Sequence, residues 1–324
     1  MLRDSSVLVT GGAGFIGSNL VGSLLLSGNY VVCLDNFSTG KRENLKEYSS
    51  NAKFKLIEGD IRNYDTCLNA VRGIDVVFHQ AALGSVPRSI KDPVSATDVN
   101  IGGYVKMLFA AKESGVKRFI YAASSSTYGD HPGLPKVEDV IGSPLSPYAI
   151  TKYVDELYAT NFADTYGIEV IGLRYFNVFG RHQDPDGAYA AVIPKFLKML
   201  RNHESPVING DGSFSRDFTY IDNVIQANHL AATVNNKEAL NQVYNVAYGE
   251  RTTLNQLFEQ IQKIAGKYDR EILKIKLLYG PEREGDIPHS LASVEKAKRL
   301  LGYSPTHSVR EGLEEAVKWF WENL

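Results

Sequence analysis

A doubly wound α/β fold around a parallel sheet is predicted by three features of the chain. Short β-branched runs alternate with helical stretches through the first half, and strands separated by helices of such length build βαβ units. A glycine-rich turn, Thr10-Gly11-Gly12-Ala13-Gly14-Phe15-Ile16-Gly17, joins the first run to the first helical stretch. An acidic residue, Asp35, closes the second run. Right-handed crossovers would then put helices on both faces of the sheet.

The first strand is Val7-Leu8-Val9, and a helix follows from Phe15 to Ser27. Tyr30 to Leu34, Lys53 to Ile57 and Val76-Val77-Phe78 read as the next three strands. A helical pattern covers Asn100 to Glu113, and Arg118 to Tyr121 returns as a strand. A helix from Tyr148 to Tyr166 leads into a strand at Glu169 to Leu173. Beyond that the alternation loosens. Gly187 to Leu200 reads as a loop entering a helix, Gly210-Asp211-Gly212-Ser213 as a turn, and Val243 to Val246 as a short strand. Leu254 to Ala265 and Glu311 to Trp321 are the closing helices. The expected organisation is a Rossmann domain over 1–175 and a smaller α/β substrate domain over 176–324, with some segments exchanged between them.

Composition narrows the function classes. The 324 residues are 44% hydrophobic and 22% charged, enough to bury a sizeable core. A net charge of −2, with no like-charge block, argues against a nucleic-acid partner. Two cysteines, Cys33 and Cys67, make no disulfide framework and point to a reducing compartment. The first residues lack a signal-peptide core, and no apolar run approaches the roughly 18 residues of a membrane span. A soluble cytoplasmic protein without a metal is expected.

In the glycine-rich turn, Gly11, Gly14 and Gly17 supply a tight turn, close backbone approach to a pyrophosphate and close helix–sheet contact. Phe15 and Ile16 open the helix, whose free N–H groups face the phosphates. Asp35 stands where an acidic side chain about 20 residues on accepts the adenosine ribose hydroxyls. A carboxylate there repels a 2′-phosphate, so NAD is favoured over NADP. Asp60 and Ile61, after the third strand, are placed to meet the adenine edge, although Gly59-Asp60 also reads as an ordinary turn.

Tyr148 and Lys152 stand at i and i+4, on one helix face. A tyrosine in water titrates near ~10, and a neighbouring ammonium beside a positive nicotinamide favours its phenolate. Lys152 is also placed to hold the nicotinamide ribose. Ser124, Ser125 and Ser126 follow a strand whose C-terminal end faces the ligand crevice. A hydroxyl there can donate to a substrate oxygen while Tyr148 takes or returns the proton. Which of the three serines does so is left open.

On the runs Thr10 to Gly17, His79-Gln80-Ala81-Ala82, Ser124 to Gly129, Tyr148 to Lys152 and Arg174-Tyr175-Phe176-Asn177-Val178-Phe179-Gly180, the chain resembles the extended short-chain dehydrogenase/reductase superfamily throughout its length. Ala82 to Ser89 and Ala122 to Pro135 are most similar to UDP-N-acetylglucosamine 4-epimerases of bacterial polysaccharide pathways. That resemblance implies NAD contacts from Asn36, Ser38, Thr39, Gly40, Gln80, Ala81 and Ala82. On the substrate side it implies Ser85, Arg88 and Lys195, with Asn177 on the diphosphate and Ala191, Val192, Val207 and Asn209 around the uridine. Arg216 and Arg283 would pair with the diphosphate through their forked donors, and Asp286 would bind a ribose hydroxyl. A homodimer is also implied, through the Tyr148 helix, with Met107, Leu108 and Phe109 equally suited to that interface or to the core.

Two departures discriminate within the superfamily. Its 4,6-dehydratases carry an Asp-Glu pair where this chain has Ser125 and Ser126, and its decarboxylases tend to a Glu at the second position; neither is present. Epimerases restricted to glucose and galactose tend to carry a Tyr where this chain has Ser290, which leaves room for an N-acetyl group. UDP-N-acetylglucosamine and UDP-N-acetylgalactosamine are therefore the expected pair, with UDP-glucose and UDP-glucuronic acid as alternatives.

Overall fold

The computed structural model describes residues 1–187, 190–282 and 288–323. Six strands come from the first 175 residues: β1 (Ser6–Thr10), β2 (Tyr30–Asp35), β3 (Phe54–Glu58), β4 (Val76–His79), β5 (Arg118–Ser124) and β6 (Glu169–Tyr175). A seventh, Gln242–Val246, comes from far along the chain. Across the sheet they run Gln242–Val246, β6, β5, β4, β1, β2, β3, and every pairing is parallel.

The helices are α1 (Phe15–Leu26), α2 (Tyr64–Ala70), α3 (Val86–Lys91), α4 (Pro93–Thr97), α5 (Tyr104–Glu113) and α6 (Pro147–Tyr166), then α7 (Val192–Arg201), α8 (Ile221–Thr233), α9 (Leu254–Ala265), α10 (Glu295–Leu301) and α11 (Val309–Asn323). Side chains of a strand alternate between faces, and β1 shows it. Val7 and Val9 join a core with Leu20 and Leu24 of α1 and Val224 of α8, while Leu8 joins another with Met107 and Leu108 of α5 and Phe162 of α6. Both faces are covered, which is why the centre of β1, Val7-Leu8-Val9, is apolar on both sides. The first core runs on to Leu257 and Phe320, so the apolar packing is continuous across residue 175.

Several expectations are corrected. Strand β5 continues past Tyr121 because Ala122, Ala123 and Ser124 keep pairing with Leu173, Arg174 and Tyr175. The helix expected from Asn100 begins as a π-turn, Asp98–Gly103, before α5. A Cβ on Gly103 would lie 2.6 Å from Ile61, so the turn hugs the loop after β3. Helix α8 was not anticipated: it buries Asn223, Asn228 and His229 as well as its apolar residues, which erases the polar stripe of an amphipathic pattern. Met107 and Leu108 are fully buried core residues. No described helix is long and apolar enough to cross a membrane.

Candidate active site

Register brings the site together. Thr10 of β1 aligns with Leu34 and His79, so Gly11, Asp35 and Gln80 leave the sheet at one level. Ser124 pairs with Tyr175 at the corresponding edge of β5 and β6. These strand ends open into a cleft of about 520 Å³.

The glycine turn forms one wall. Gly11 has φ +67°, and a Cβ there would lie 2.7 Å from the backbone of Ala81. A Cβ on Gly17 would lie 2.1 Å from the Gly11 carbonyl oxygen, so the helix can start this close only without a side chain. Helix α1 has no side-chain cap and no acidic residue in its first turn, which leaves its N–H groups for an anion. Asp35 accepts from the Ala13 N–H at 2.9 Å and the Phe37 N–H at 2.7 Å. It thus ties the turn to the end of β2, and burial pushes its carboxyl up. Asp60 holds Arg62 and accepts from Asn36 at 2.9 Å; the Arg62 hydrogen bonds bring its carboxyl down to about 2.

Beneath this wall His79 is buried, with Nδ1 2.9 Å from Thr10 Oγ1. Burial pushes its pKa down to about 3, so the ring is neutral. Gln80, Tyr175 and Asn228 close a hydrogen-bonded triangle at 3.0 to 3.4 Å that joins β4, β6 and α8 behind the cleft.

Helix α6 is started by Ser146, whose Oγ accepts from the Ala149 N–H at 3.1 Å, with Pro147 in its first turn. The Tyr148 N–H donates to Ser89 Oγ of α3 at 3.0 Å. Tyr148 and Lys152 therefore face the cleft together with Ser124. Lys152 Nζ donates to the Ala122 carbonyl at 2.9 Å and to Asp155 at 3.2 Å. Ser124 Oγ accepts from Ser126 Oγ at 2.8 Å, which leaves its own proton to donate. Ser125 and Ser126 enter a 3₁₀ turn and, unlike Ser124, are not among the cleft-lining residues.

Of the other expected cofactor contacts, Gly14, Phe15, Ile16, Asn36, Ser38, Thr39, Asp60, Ile61, Ala81 and Ala82 line the cleft. Gly40 does not; it packs under the turn, where a Cβ would lie 2.8 Å from that of Ala13. A second chamber of about 400 Å³ shares Asn177 and Val178 with the first and is lined by Ala191, Val192, Lys195, Val207, Asn209 and Arg216. Asn177, at φ +36°, donates to the Asp217 carbonyl at 3.0 Å. An opening of about 550 Å³ links the two and holds Ser85 and Arg88. Ser290, expected on the substrate, is half-buried with its N–H donating to the Ser215 carbonyl at 3.1 Å, and it is not among the residues that line either chamber. Arg283 and Asp286 lie outside the described residues. Sequence reasoning missed Tyr175 and Gln183 in the first chamber and Phe214 and Phe218 in the second. Tyr175 could have been found, since it sits two residues before Asn177.

Residues 7–247 match the NAD dependent epimerase/dehydratase family. The UDP-glucose 4-epimerase of Mycolicibacterium smegmatis is 36% identical, with 97% of each chain covered. The UDP-N-acetylglucosamine 4-epimerase of Methanobrevibacter ruminantium, solved with UDP-N-acetylmuramic acid, superposes with a TM-score of 0.92 at 41% identity over 100% of both chains. The UDP-glucose 4-epimerase of Thermotoga maritima, solved with UDP-glucose, has a TM-score of 0.90 at 38% identity, covering 98% of this chain and 99% of its own.

Proposed function

Because the chain belongs to the NAD dependent epimerase/dehydratase family, we propose that it inverts C4 of a UDP-hexosamine, exchanging UDP-N-acetylglucosamine and UDP-N-acetylgalactosamine. NAD-dependent UDP-sugar 4-epimerisation is the activity its family and relatives carry. The first chamber fits the dinucleotide: the turn admits only glycine at 11 and 17, α1 is uncapped, and Asp35 stands at the neighbouring strand end. When bound, NAD supplies the oxidant that takes hydride from the sugar and gives it back.

The residues do the rest. Tyr148 removes the C4 hydroxyl proton and later returns it, while Lys152 places its charge beside the phenolate. Ser124 donates to the same oxygen. Arg216, Asn177 and the second chamber hold the UDP, so the 4-keto sugar turns over without leaving.

The acetylated substrate rests on Ser290. By resemblance, a Ser where glucose-restricted epimerases tend to carry a Tyr leaves room for an N-acetyl group, and the similarity to an acetylhexosamine epimerase supports the same reading. UDP-glucose is the second reading, favoured by the relatives that act on it, and UDP-glucuronic acid a third, favoured by a 34% identical UDP-glucuronate 4-epimerase. Purified protein is to be incubated with each UDP-sugar without added NAD. Epimer should form at least about tenfold faster from the acetylated sugars, the scale of one pocket contact. Turnover confined to UDP-glucose or UDP-glucuronic acid would reject the choice.

We also infer a homodimer. Helices α3, α4 and α6 leave Val86, Ile90, Val94, Ile150, Leu157 and Tyr158 exposed, an apolar face suited to a second copy. Both cysteines are free and buried, in keeping with a cytoplasmic setting, where the product would feed polysaccharide assembly.

A further inference from the structure

Asp155 lies on α6 one turn beyond Lys152 and is completely buried. Its Oδ2 accepts from Lys152 Nζ at 3.2 Å, while Oδ1 is buried without a partner. An unsatisfied buried acceptor is destabilising, so the position holds a carboxylate against a standing penalty. Charge is what a carboxylate adds there.

The surrounding groups leave that role to Asp155. On the same helix, Glu156 is committed to Arg174 of β6 at 2.7 and 2.9 Å. From α5 comes the Tyr104 phenol, also without a partner, and from β5 the Tyr121 phenol; burial pushes both far up, so both are neutral. His79 of β4, which feels the Lys152 charge, is neutral as well. Among the described residues, Asp155 is the carboxylate paired with Lys152. Burial pushes its carboxyl up to about 7, with Lys152 the largest influence in the other direction.

We infer that Asp155 is a positioning residue: its buried carboxylate offsets the Lys152 ammonium at the cofactor cleft and so sets how readily the bound nicotinamide is reduced. The inference rests on the dinucleotide site proposed above. An oxidised nicotinamide ring is positive and a reduced one neutral, so a nearby anion favours the oxidised form and a nearby cation the reduced form. The ion pair is nearly neutral as a unit. Without Asp155, the ammonium acts on the ring alone.

The test is the reduction potential of the dinucleotide in the holoenzyme. It is titrated against poised mediators at about pH 8, one unit above the Asp155 value, where the carboxylate is ionised, and read by the absorbance of the reduced ring. Asp155→Asn should raise the reduced-to-oxidised ratio at a given potential about tenfold, about 30 mV for a two-electron couple. The double variant Asp155→Asn/Lys152→Met removes both charges and should return within about twofold of the parent. Should Asp155→Asn fail to fold, Asp155→Ser, with its own donor and acceptor, takes its place. A purely structural role would lower stability and leave the potential unmoved; that result, or a double variant shifted as far as the single one, overturns the inference. Parent protein that binds no dinucleotide would overturn the proposed function and this inference together, whereas bound dinucleotide with an unshifted potential counts against Asp155 alone.

Discussion

Along one wall of the cleft, site residues leave the ends of sheet strands: Gly11 follows β1, Asp35 closes β2, Gln80 follows β4 and Ser124 closes β5. Across the cleft, Val207 and Asn209 sit on a three-residue strand, Arg216 on a two-residue one, and Ala191 at the start of α7. The first wall is aligned by a parallel register repeated over seven strands. The second is held by local ties, such as Asn177 to the Asp217 carbonyl and Asp217 to the N–H groups of Tyr248, Gly249 and Ala292. A ladder can position chemistry to within a fraction of an ångström, whereas loops can be exchanged to suit a new ligand. On the proposed reading, cofactor and catalysis therefore belong to the strand ends together with α6, and substrate choice to the loops.

That division predicts the largest effect on the side of the strand ends and α6. Tyr148→Phe should fold normally and keep its dinucleotide, but lose about 10²–10⁴-fold in turnover, the range for a missing general base; steady-state kinetics beside circular dichroism checks it. Comparable activity would break the division at its centre. Next comes the opposite wall. Arg216→Gln should raise KM about 10- to 100-fold, matching about 1.5–3 kcal/mol for a charged hydrogen bond, and leave dinucleotide content unchanged. A loss of bound NAD instead would show that the two walls are not separable.

Smaller effects sharpen the same contrast. The pKa of His79 is pushed below its ordinary 6.5 to about 3, so its contribution to stability is present above 6.5 and lost as pH falls toward 3. Between pH 6.5 and about 3 stability should drop by about 1.4 kcal/mol per pH unit, and His79→Asn should flatten this slope in urea titrations. Least of all should come from Lys41–Asp184, which bridges the walls at 2.8 Å with both side chains more than a third exposed. Lys41→Ala should change the dinucleotide dissociation rate less than about fivefold, since exposed pairs contribute about 0–1 kcal/mol.

The sequence carried the first wall well because strands, a glycine turn and an i, i+4 pair are local patterns. The same logic located Ser124 only as one of three serines, since the strand end that singles it out depends on pairing with β6. The second wall was readable through family likeness alone: Val207, Asn209 and Arg216 converge by long-range contacts that leave no local period. Helix α8 shows the same limit, and the strand Gln242–Val246, though legible as a strand at Val243 to Val246, owes its place beside β6 to pairing between distant segments.

On the proposed function, hydride leaves C4 of the sugar and returns to the same carbon within one cleft. UDP-N-acetylglucosamine carrying deuterium at C4, mixed with unlabelled UDP-N-acetylgalactosamine and the protein without added NAD, measures this directly. The label should remain at C4 in both epimers, with none appearing in water. Deuterium released to solvent, or turnover only with stoichiometric external NAD, would contradict the account.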